Sequence, residues 1–391
     1  MKKFVYFDNN ATTMIAPEVL DAMKPFFNDH WGNPSSAYQF GSRLNKWIVN
    51  AREQVSDFIG ARPEEVIFTS CGTESNNAAI NSALLTNPLK RHIVTTKVEH
   101  SAVLRYCQEL EARGYEVSYL NVDNAGRLDL EEVDRTIRPD TAIVSIMMAN
   151  NETGVVFPVA KISEICKKKG VLFHTDAVQA AGKLPINVKE LGVDFLSLSA
   201  HKIYAPKGIG LLYIRDGVKF KPLIIGGHQE NGRRAGTENV PYIIGFGKAA
   251  ELAKQRLKEE VSRVKFLRDR FEKSILELIP FTHINGFEAE RLPNTTNIAF
   301  EYVESEAVIM LLDQVGVCAS SGSACTTGSS DPSHVLMAMG LDPVRARGSV
   351  RFSFGFYNNE SEVDYVVEQL QQIIQKLRAM SPLTPGNVKA S

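Results

Sequence analysis

Between residues 65 and 214 the chain alternates short apolar runs with stretches of helical period. The runs are VIFTS, HIVTT, EVSYLNV, AIVSIMMAN, VLFHTDA, DFLSLSA and GIGLLYIR, and helical segments lie between them at 76–85, 102–113 and 159–169. A run that is apolar throughout suits a strand buried on both faces. Strands alternating with helices predict an α/β fold, a mostly parallel sheet covered on both sides. Farther along, Leu257, Val261, Val264, Leu267, Phe271, Ile275 and Leu278 recur every three or four residues, which predicts a long helix ended by Pro280. The texture then changes. NTTNIAF and GSVRFSFG read as strands, SEAVIMLLDQ and SEVDYVVEQLQQIIQKL as helices. They predict a smaller α+β domain with the N-terminal segment packed on it. The expected division is 15–258 for the large domain and 1–14 with 259–391 for the small one. The tail, SPLTPGNVKAS, is polar and reads as a frayed end.

In an open parallel sheet, ligands bind beyond the carboxyl ends of the strands. Five predicted strand ends carry polar residues there. Cys71-Gly72-Thr73 follow VIFTS and enter a helix, and Glu99-His100 follow HIVTT. Asn150 and Asn151 end AIVSIMMAN, Asp176 ends VLFHTDA with Gln179 just beyond, and His201-Lys202 close DFLSLSA. One polar strand end means little; five together predict a site. SCGTES is a small turn running into a helix, whose free N–H groups suit a phosphate; the same residues would also serve as a plain cap. Lys202, straight after an apolar strand, is either a lysine snorkelling to water or one whose partial burial equips it to form a Schiff base. Pyridoxal phosphate needs such a lysine, an acid facing its ring nitrogen and a phosphate cup. Lys202, Asp176 and Gly72-Thr73 match those needs. His174 and Asp176 share a strand face, which also suits a metal, yet no third ligand stands at a recognisable spacing. His100 fits ring stacking or proton transfer, or a hydrogen-bonded structural role. Arg351 faces away from the apolar side formed by Val350, Phe352 and Phe354. There it either grips a carboxylate or lies on the surface of an edge strand.

The 391 residues are too many for one small domain. Hydrophobic residues make up 44% and charged residues 23%, an ordinary globular balance. A net charge of −1 implies no broad attraction to nucleic acid or an anionic membrane. The start, MKKFVYFDNN, has too short an apolar stretch for a signal peptide, and no segment is long and apolar enough to span a bilayer. Five cysteines (Cys71, Cys107, Cys166, Cys318 and Cys325) show no CxxC spacing. Neither a zinc site nor a disulfide framework is expected, and a reducing, cytoplasmic setting is. Cys325 stands apart in SSGSACTTGSS. With two glycines nearby and no large apolar anchor, it reads as a thiol on a mobile loop.

The motifs YFDNNATT, GNPSS, TSCGTESNN, EHSAVL, ANNETG, FHTDAVQAAGKLPINV, SLSAHKIYAPKGIG, GRRAGTENVP, LPNTTNIAF, SSGSACTTG and VRFSFG occur in this order. Together they resemble cysteine desulfurases of the NifS/IscS group, in the class V branch of fold-type I pyridoxal-phosphate enzymes. The resemblance covers nearly the whole chain. It implies conversion of L-cysteine to L-alanine, with sulfur passed to Cys325 as a persulfide for iron–sulfur cluster scaffolds or other acceptors. It implies that Lys202 holds pyridoxal 5'-phosphate covalently and moves the Cα proton, and that Asp176 keeps the ring nitrogen protonated. Gln179 would contact the ring hydroxyl, and His100 would stack on the ring and assist proton transfer. Gly72, Thr73, Ser199 and His201 would bind the phosphate. Thr237, in RAGTEN, would reach the phosphate of a partner subunit, which implies a homodimer. Asn151 and Arg351, with Asn9 nearby, would hold the substrate carboxylate. No metal is implied. SCGTES departs from the commoner SGATES and KIYAPKG from KLHGPKG, and Met148 stands where many relatives have Trp; none of these removes a matched catalytic group. Two alternatives stay open: a selenocysteine lyase or aminotransferase on the same fold, and a sulfur-carrier subunit that mainly binds partners.

Overall fold

The computed structural model describes residues 4–321, 332–382 and 384. Cys325 and its loop lie outside the described residues. The strands in chain order are β1 (Val5–Tyr6), β2 (Val66–Thr69), β3 (His92–Thr96), β4 (Glu116–Leu120), β5 (Thr141–Ser145), β6 (Leu172–Asp176) and β7 (Phe195–Ser199). They continue with β8 (Gly210–Ile214), β9 (Thr282–Ile284), β10 (Thr295–Phe300), β11 (Val317–Cys318), β12 (Ser320–Ser321) and β13 (Ser349–Ser353).

Seven of them form one sheet in the order β2-β8-β7-β6-β5-β3-β4. All neighbours pair in parallel except around β8, which runs antiparallel to both β2 and β7. Every residue of β2, β5, β7 and β8 is buried. The alternation of side chains splits each strand between two cores. Val66 and Phe68 join the core formed with the helices Asn45–Ile59 and Val159–Lys169. Ile67 joins the opposite one, under the helices Gly72–Thr86 and Ser101–Ala112. The apolar run expected to end at Asn150 is regular strand only as far as Ser145. Beyond it the chain stays alongside β6 through two amides, Ile146 N–H to His174 O (3.1 Å) and Met148 N–H to Asp176 O (2.8 Å).

A four-stranded antiparallel sheet, β12-β13-β10-β9, forms a second layer, and β1 pairs in parallel with β11. Its core holds Val350, Phe352 and Phe354 against Val363, Val366 and Leu370 of the helix Glu360–Met380. The long helix runs from Val240 to Leu278, seventeen residues ahead of the predicted start at Leu257. Its first half, with Ile243, Phe246 and Ala250, joins the core of the larger layer against the helices Pro17–Met23 and Asn45–Ile59; its second, with Val264, Leu267, Phe271 and Ile275, packs on the smaller sheet. The first half contains two glycines that contact requires. A Cβ on Gly245 would come 2.5 Å from Met23 Sδ, and one on Gly247 would come 2.7 Å from Ala51 Cβ.

Phe271 sits where that helix meets the smaller sheet, with ring centroids 4.9 Å from Phe352, 5.6 Å from Phe354 and 6.0 Å from Phe7. Phe271→Ala is expected to destabilise the smaller layer by about 3–5 kcal/mol, read from chemical denaturation. Phe266→Ala, on the exposed side of the same helix, is expected to change it by about 0.5 kcal/mol or less.

Candidate active site

β2, β3, β5, β6 and β7 all run the same way, so their carboxyl ends open onto one side of the sheet. A cavity of about 300 Å³ lies there. Gly72, Thr73, His100, Asn151, Asp176, Gln179, Ser199, His201, Lys202 and Arg351 all line it. Asn9 does not. Its amide donates to Tyr6 O and Ser353 O, and it faces the neighbouring cavity, whereas Asn10 lines this one. Thr237 lies on an exposed loop away from the cavity wall.

The helix Gly72–Thr86 begins directly after β2. Its cap residue, Cys71, is extended and gives no side-chain hydrogen bond. The first-turn N–H groups are therefore left for a ligand, at the positive end of the helix dipole. Position 72 has no room for a side chain, because a Cβ there would stand 2.9 Å from Val178 Cγ2.

Asp176 ends β6 almost buried. Its Oδ2 accepts from Asn76 Nδ2 at 2.6 Å and its Oδ1 from Val178 N–H at 2.9 Å. Asn76 was not singled out from the sequence. It lies one helical turn beyond Thr73, and that i,i+3 spacing is the signal that could have found it. Lys202 closes the short turn after β7, and its Nζ donates to the carbonyls of Asn10 and Ala11. Gln179 donates through Nε2 to Asn10 O at 3.0 Å, while its Oε1 is buried with no partner among the described residues; Asn76 Oδ1 is in the same state.

His100 caps the helix Ser101–Ala112. Its Nδ1 accepts from Ala102 N–H at 3.1 Å, so the neutral ring carries its proton on Nε2. Burial pushes its pKa down. His201, with Nδ1 3.1 Å from Thr12 Oγ1, is pushed down to about 3, first by burial and then by the nearby Lys202. His174 is fully committed, its two ring nitrogens bonded to Ser145 Oγ (2.8 Å) and Ser197 Oγ (2.9 Å). Among the described residues, no group of three or more His, Cys, Asp or Glu could hold a metal ion.

The edge-strand alternative for Arg351 fails. β13 lies inside its sheet, and the side chain is buried. Nη2 pairs with Asp8 Oδ1 at 2.7 Å, Nη1 donates to Asn151 O at 3.0 Å, and Nε has no partner among the described residues. Asp8 is a partner that sequence reading did not name.

The uncapped helix start, the two orphaned amide oxygens and the placing of Asp176 and Lys202 on one cavity fit pyridoxal phosphate. They would supply donors for its phosphate, a partner for its ring hydroxyl, an acid for its ring nitrogen and an amine for its aldehyde.

Under His100, the neighbouring Glu99 is completely buried. It accepts from Thr96 Oγ1 at 2.8 Å and from Met147 N–H at 3.0 Å, and burial raises its pKa from 4.5 to about 8. The native state then keeps a proton that the unfolded chain releases, so stability falls as pH rises from about 4.5 to about 8. Glu99→Gln, which has no proton to release, is expected to flatten that fall. Denaturation midpoints measured from pH 5 to 8 check it.

Residues 5–366 match the family model Aminotransferase class-V. A cysteine desulfurase of Trichormus azollae is 54% identical over 378 residues, which are 97% of this chain and 94% of that protein. The cysteine desulfurase NifS of Azotobacter vinelandii is 50% identical over 98% of this chain and 96% of its own length. Among solved structures, a NifS-like protein superposes with a TM-score of 0.90 at 41% identity, covering 96% of this chain and all of that one. SspA in complex with cysteine does so at 0.81 and 38%, over 91% of this chain and all of its own. With the cavity at the strand ends and relatives half identical over nearly its full length, this chain belongs to the class-V aminotransferase family, among the cysteine desulfurases.

Proposed function

We propose that the cavity beyond the strand ends is where L-cysteine gives up its sulfur, with the work divided among the residues that line it. The chain is a pyridoxal-phosphate-dependent cysteine desulfurase. The observation that carries the residue assignment is the meeting of Lys202, Asp176 and Arg351 on one cavity.

Pyridoxal phosphate, when bound, is an electron sink for the substrate carbon. Lys202 would hold it through Nζ and would move the Cα proton. Asp176 faces the ring nitrogen and favours its protonated form. Gln179 meets the ring hydroxyl. Gly72, Thr73, Ser199 and His201 hold the phosphate. Arg351 and Asn151 orient the substrate carboxylate, and Asn9 anchors the neighbouring backbone at Ser353. His100, which lines the cavity, would cover the ring and holds its proton at Nε2. The thiolate of Cys325 attacks the substrate sulfur. The cysteine C–S bond breaks and an S–S bond forms. The carbon keeps the electron pair and takes a proton, giving alanine and an enzyme persulfide.

The chain works as a large domain, 15–258, and a small one, 1–14 with 259–391, that brings Cys325 to the cavity; the apolar core that joins Val5 and Phe7 to Val264, Phe271, Phe352 and Leu370 supports this division. It acts as a homodimer in which Thr237 reaches the partner's phosphate site. The exposed apolar run Leu223, Ile224 and Ile225, close to the Thr237 loop, supports a covering second copy. The persulfide passes to an iron–sulfur scaffold or another acceptor protein. No helix among the described residues is long and apolar enough to cross a membrane. The setting is the reducing cytoplasm, in keeping with the four described cysteines being free thiols.

Cys325→Ser tests the reaction as a whole. The variant is expected to bind cysteine with the wild-type spectral change but to release almost no alanine. In the wild type, mass spectrometry after one turnover finds the added sulfur on Cys325. Sulfur on Cys71 or Cys318, or full alanine release by the variant, would overturn the assignment.

Arg351→Lys keeps the charge and loses the fork. It is expected to raise the cysteine KM about tenfold, with cofactor content unchanged. Steady-state kinetics on cofactor-replete protein check it; an unchanged KM would mean that the carboxylate is held elsewhere.

A further inference from the structure

The loop between β8 and the long helix carries Thr237, and it is held in a conformation that its sequence does not favour. Glu230 (φ 49°, ψ 36°) and Asn231 (φ 56°, ψ 38°) are both left-handed, and Gly232 follows at φ 74°. Two successive non-glycine residues in that region are strained, and such strain persists only where surrounding contacts over-determine it. Here the contacts are visible. The Glu230 carboxylate takes a two-pronged grip from Arg52 of the helix Asn45–Ile59, Oε1 at 2.6 Å from Nη2 and Oε2 at 2.7 Å from Nη1. The pair is mostly buried. Oε2 also accepts from Phe68 N–H at 3.1 Å, and Arg52 Nη1 donates to Val66 O at 2.9 Å.

Those two backbone groups belong to β2, one of the two edge strands of the seven-stranded sheet. Arg52 and Glu230 therefore satisfy the free edge of the sheet while they pin the loop. A second tether follows four residues on. Arg234 grips Glu74, Nε to Oε1 at 2.9 Å and Nη2 to Oε2 at 3.2 Å, and Glu74 lies in the first turn of the helix that begins at Gly72. Thr237, three residues beyond Arg234, is left exposed.

We propose that the Arg52–Glu230 pair is a positioning device for Thr237: it holds the strained loop on its own sheet edge so that the loop completes the cofactor pocket of a second copy of the chain. The proposal rests on the reading of Thr237 as a contact made across a homodimer. Its consequence is directional. Damage to the clamp in one chain weakens cofactor binding in the other.

Heterodimers purified through two different tags test this, with borohydride-fixed pyridoxal phosphate as the readout, since fixing requires Lys202. In the first, one chain carries Lys202→Ala with Glu230→Ala and the other is wild type. In the second, one chain carries Lys202→Ala and the other Glu230→Ala. Each has a single pocket able to fix cofactor. The half-saturating cofactor concentration is expected to rise about tenfold in the first heterodimer. The second is expected to match a Lys202→Ala/wild-type control. Loss in the second alone, or equal loss in both, overturns the proposal. Thr237→Ala placed in the same two arrangements tests the underlying reading. If it acts in trans and Glu230→Ala does not, the clamp alone is refuted. A monomer in sedimentation refutes both. Glu230→Gly, which adopts the left-handed backbone without strain, is expected to keep more cofactor than Glu230→Ala. Equal loss in these two variants would overturn the claim that the pair offsets strain.

Discussion

One buried residue, Asn10, joins the parts of the molecule that must meet for the site to exist. Its carbonyl accepts from Gln179 and from Lys202, both on the seven-stranded sheet's side. Its N–H donates to Ser353 Oγ of β13, and its amide donates to Thr295 Oγ1 of β10 and accepts from Asn294. The same amide nitrogen reaches Asn151 O, the atom that also receives Arg351 Nη1. Every polar group of Asn10 is thus used, at a residue 1% exposed. A buried donor or acceptor left unmade costs about 1–3 kcal/mol. The N-terminal strap therefore has little freedom to shift, and the smaller sheet comes into register with the cavity through it. Next to it, Asp8 balances the buried Arg351. Removing one member of such a pair costs about 3–5 kcal/mol, because the other is stranded.

Burial also decides which groups around the cavity are charged. Glu99 is driven up to about 8 and Glu152 to about 7, in both cases first by loss of water. His174 and His201 are driven down to about 3 by the same cause. Near neutral pH, Glu99 keeps its proton and these histidines are uncharged. Few formal charges then surround the site. Those that remain act through a low dielectric and over short distances, where each is stronger than it would be in water.

Much of this was legible in the sequence, for identifiable reasons. Most of the seven strands announced themselves because they are buried on both faces, with only the edge strand β4 half-exposed, and the site because five of them end in polar residues on one side. What escaped depends on distance or on one-residue geometry. Arg351 looked like a candidate for an exposed edge because its counter-charge, Asp8, is 343 positions away in the chain. The first half of the long helix escaped because Gly245 and Gly247 weaken its apolar period, although packing on Met23 and Ala51 demands them. Asn9 and Asn10 are indistinguishable in a string. Only the path of the backbone turns one toward Ser353 O and the other into the cavity. Cys325 was conspicuous by composition, yet it lies outside the described residues.

Two charges at the cavity, Asp176 and Arg351, are held in different ways, and the difference suits the roles proposed for them. Asp176 is held by neutral donors, the Asn76 amide and the Val178 N–H. Those bonds fix its direction and set no opposite charge against it. A positively charged ring nitrogen placed opposite therefore gains a full electrostatic interaction. Arg351 is already partly neutralised by Asp8, a second donor is taken up by a carbonyl, and Nε is left over among the described residues. A substrate carboxylate meeting it gains less from net charge and more from direction, since the remaining donor lies in the fixed plane of the guanidinium. In the proposed roles the arginine would chiefly set how the substrate lies, and the aspartate the electronic demand on the ring. Such a separation would let the carboxylate grip be loosened or tightened without altering the protonation of the ring.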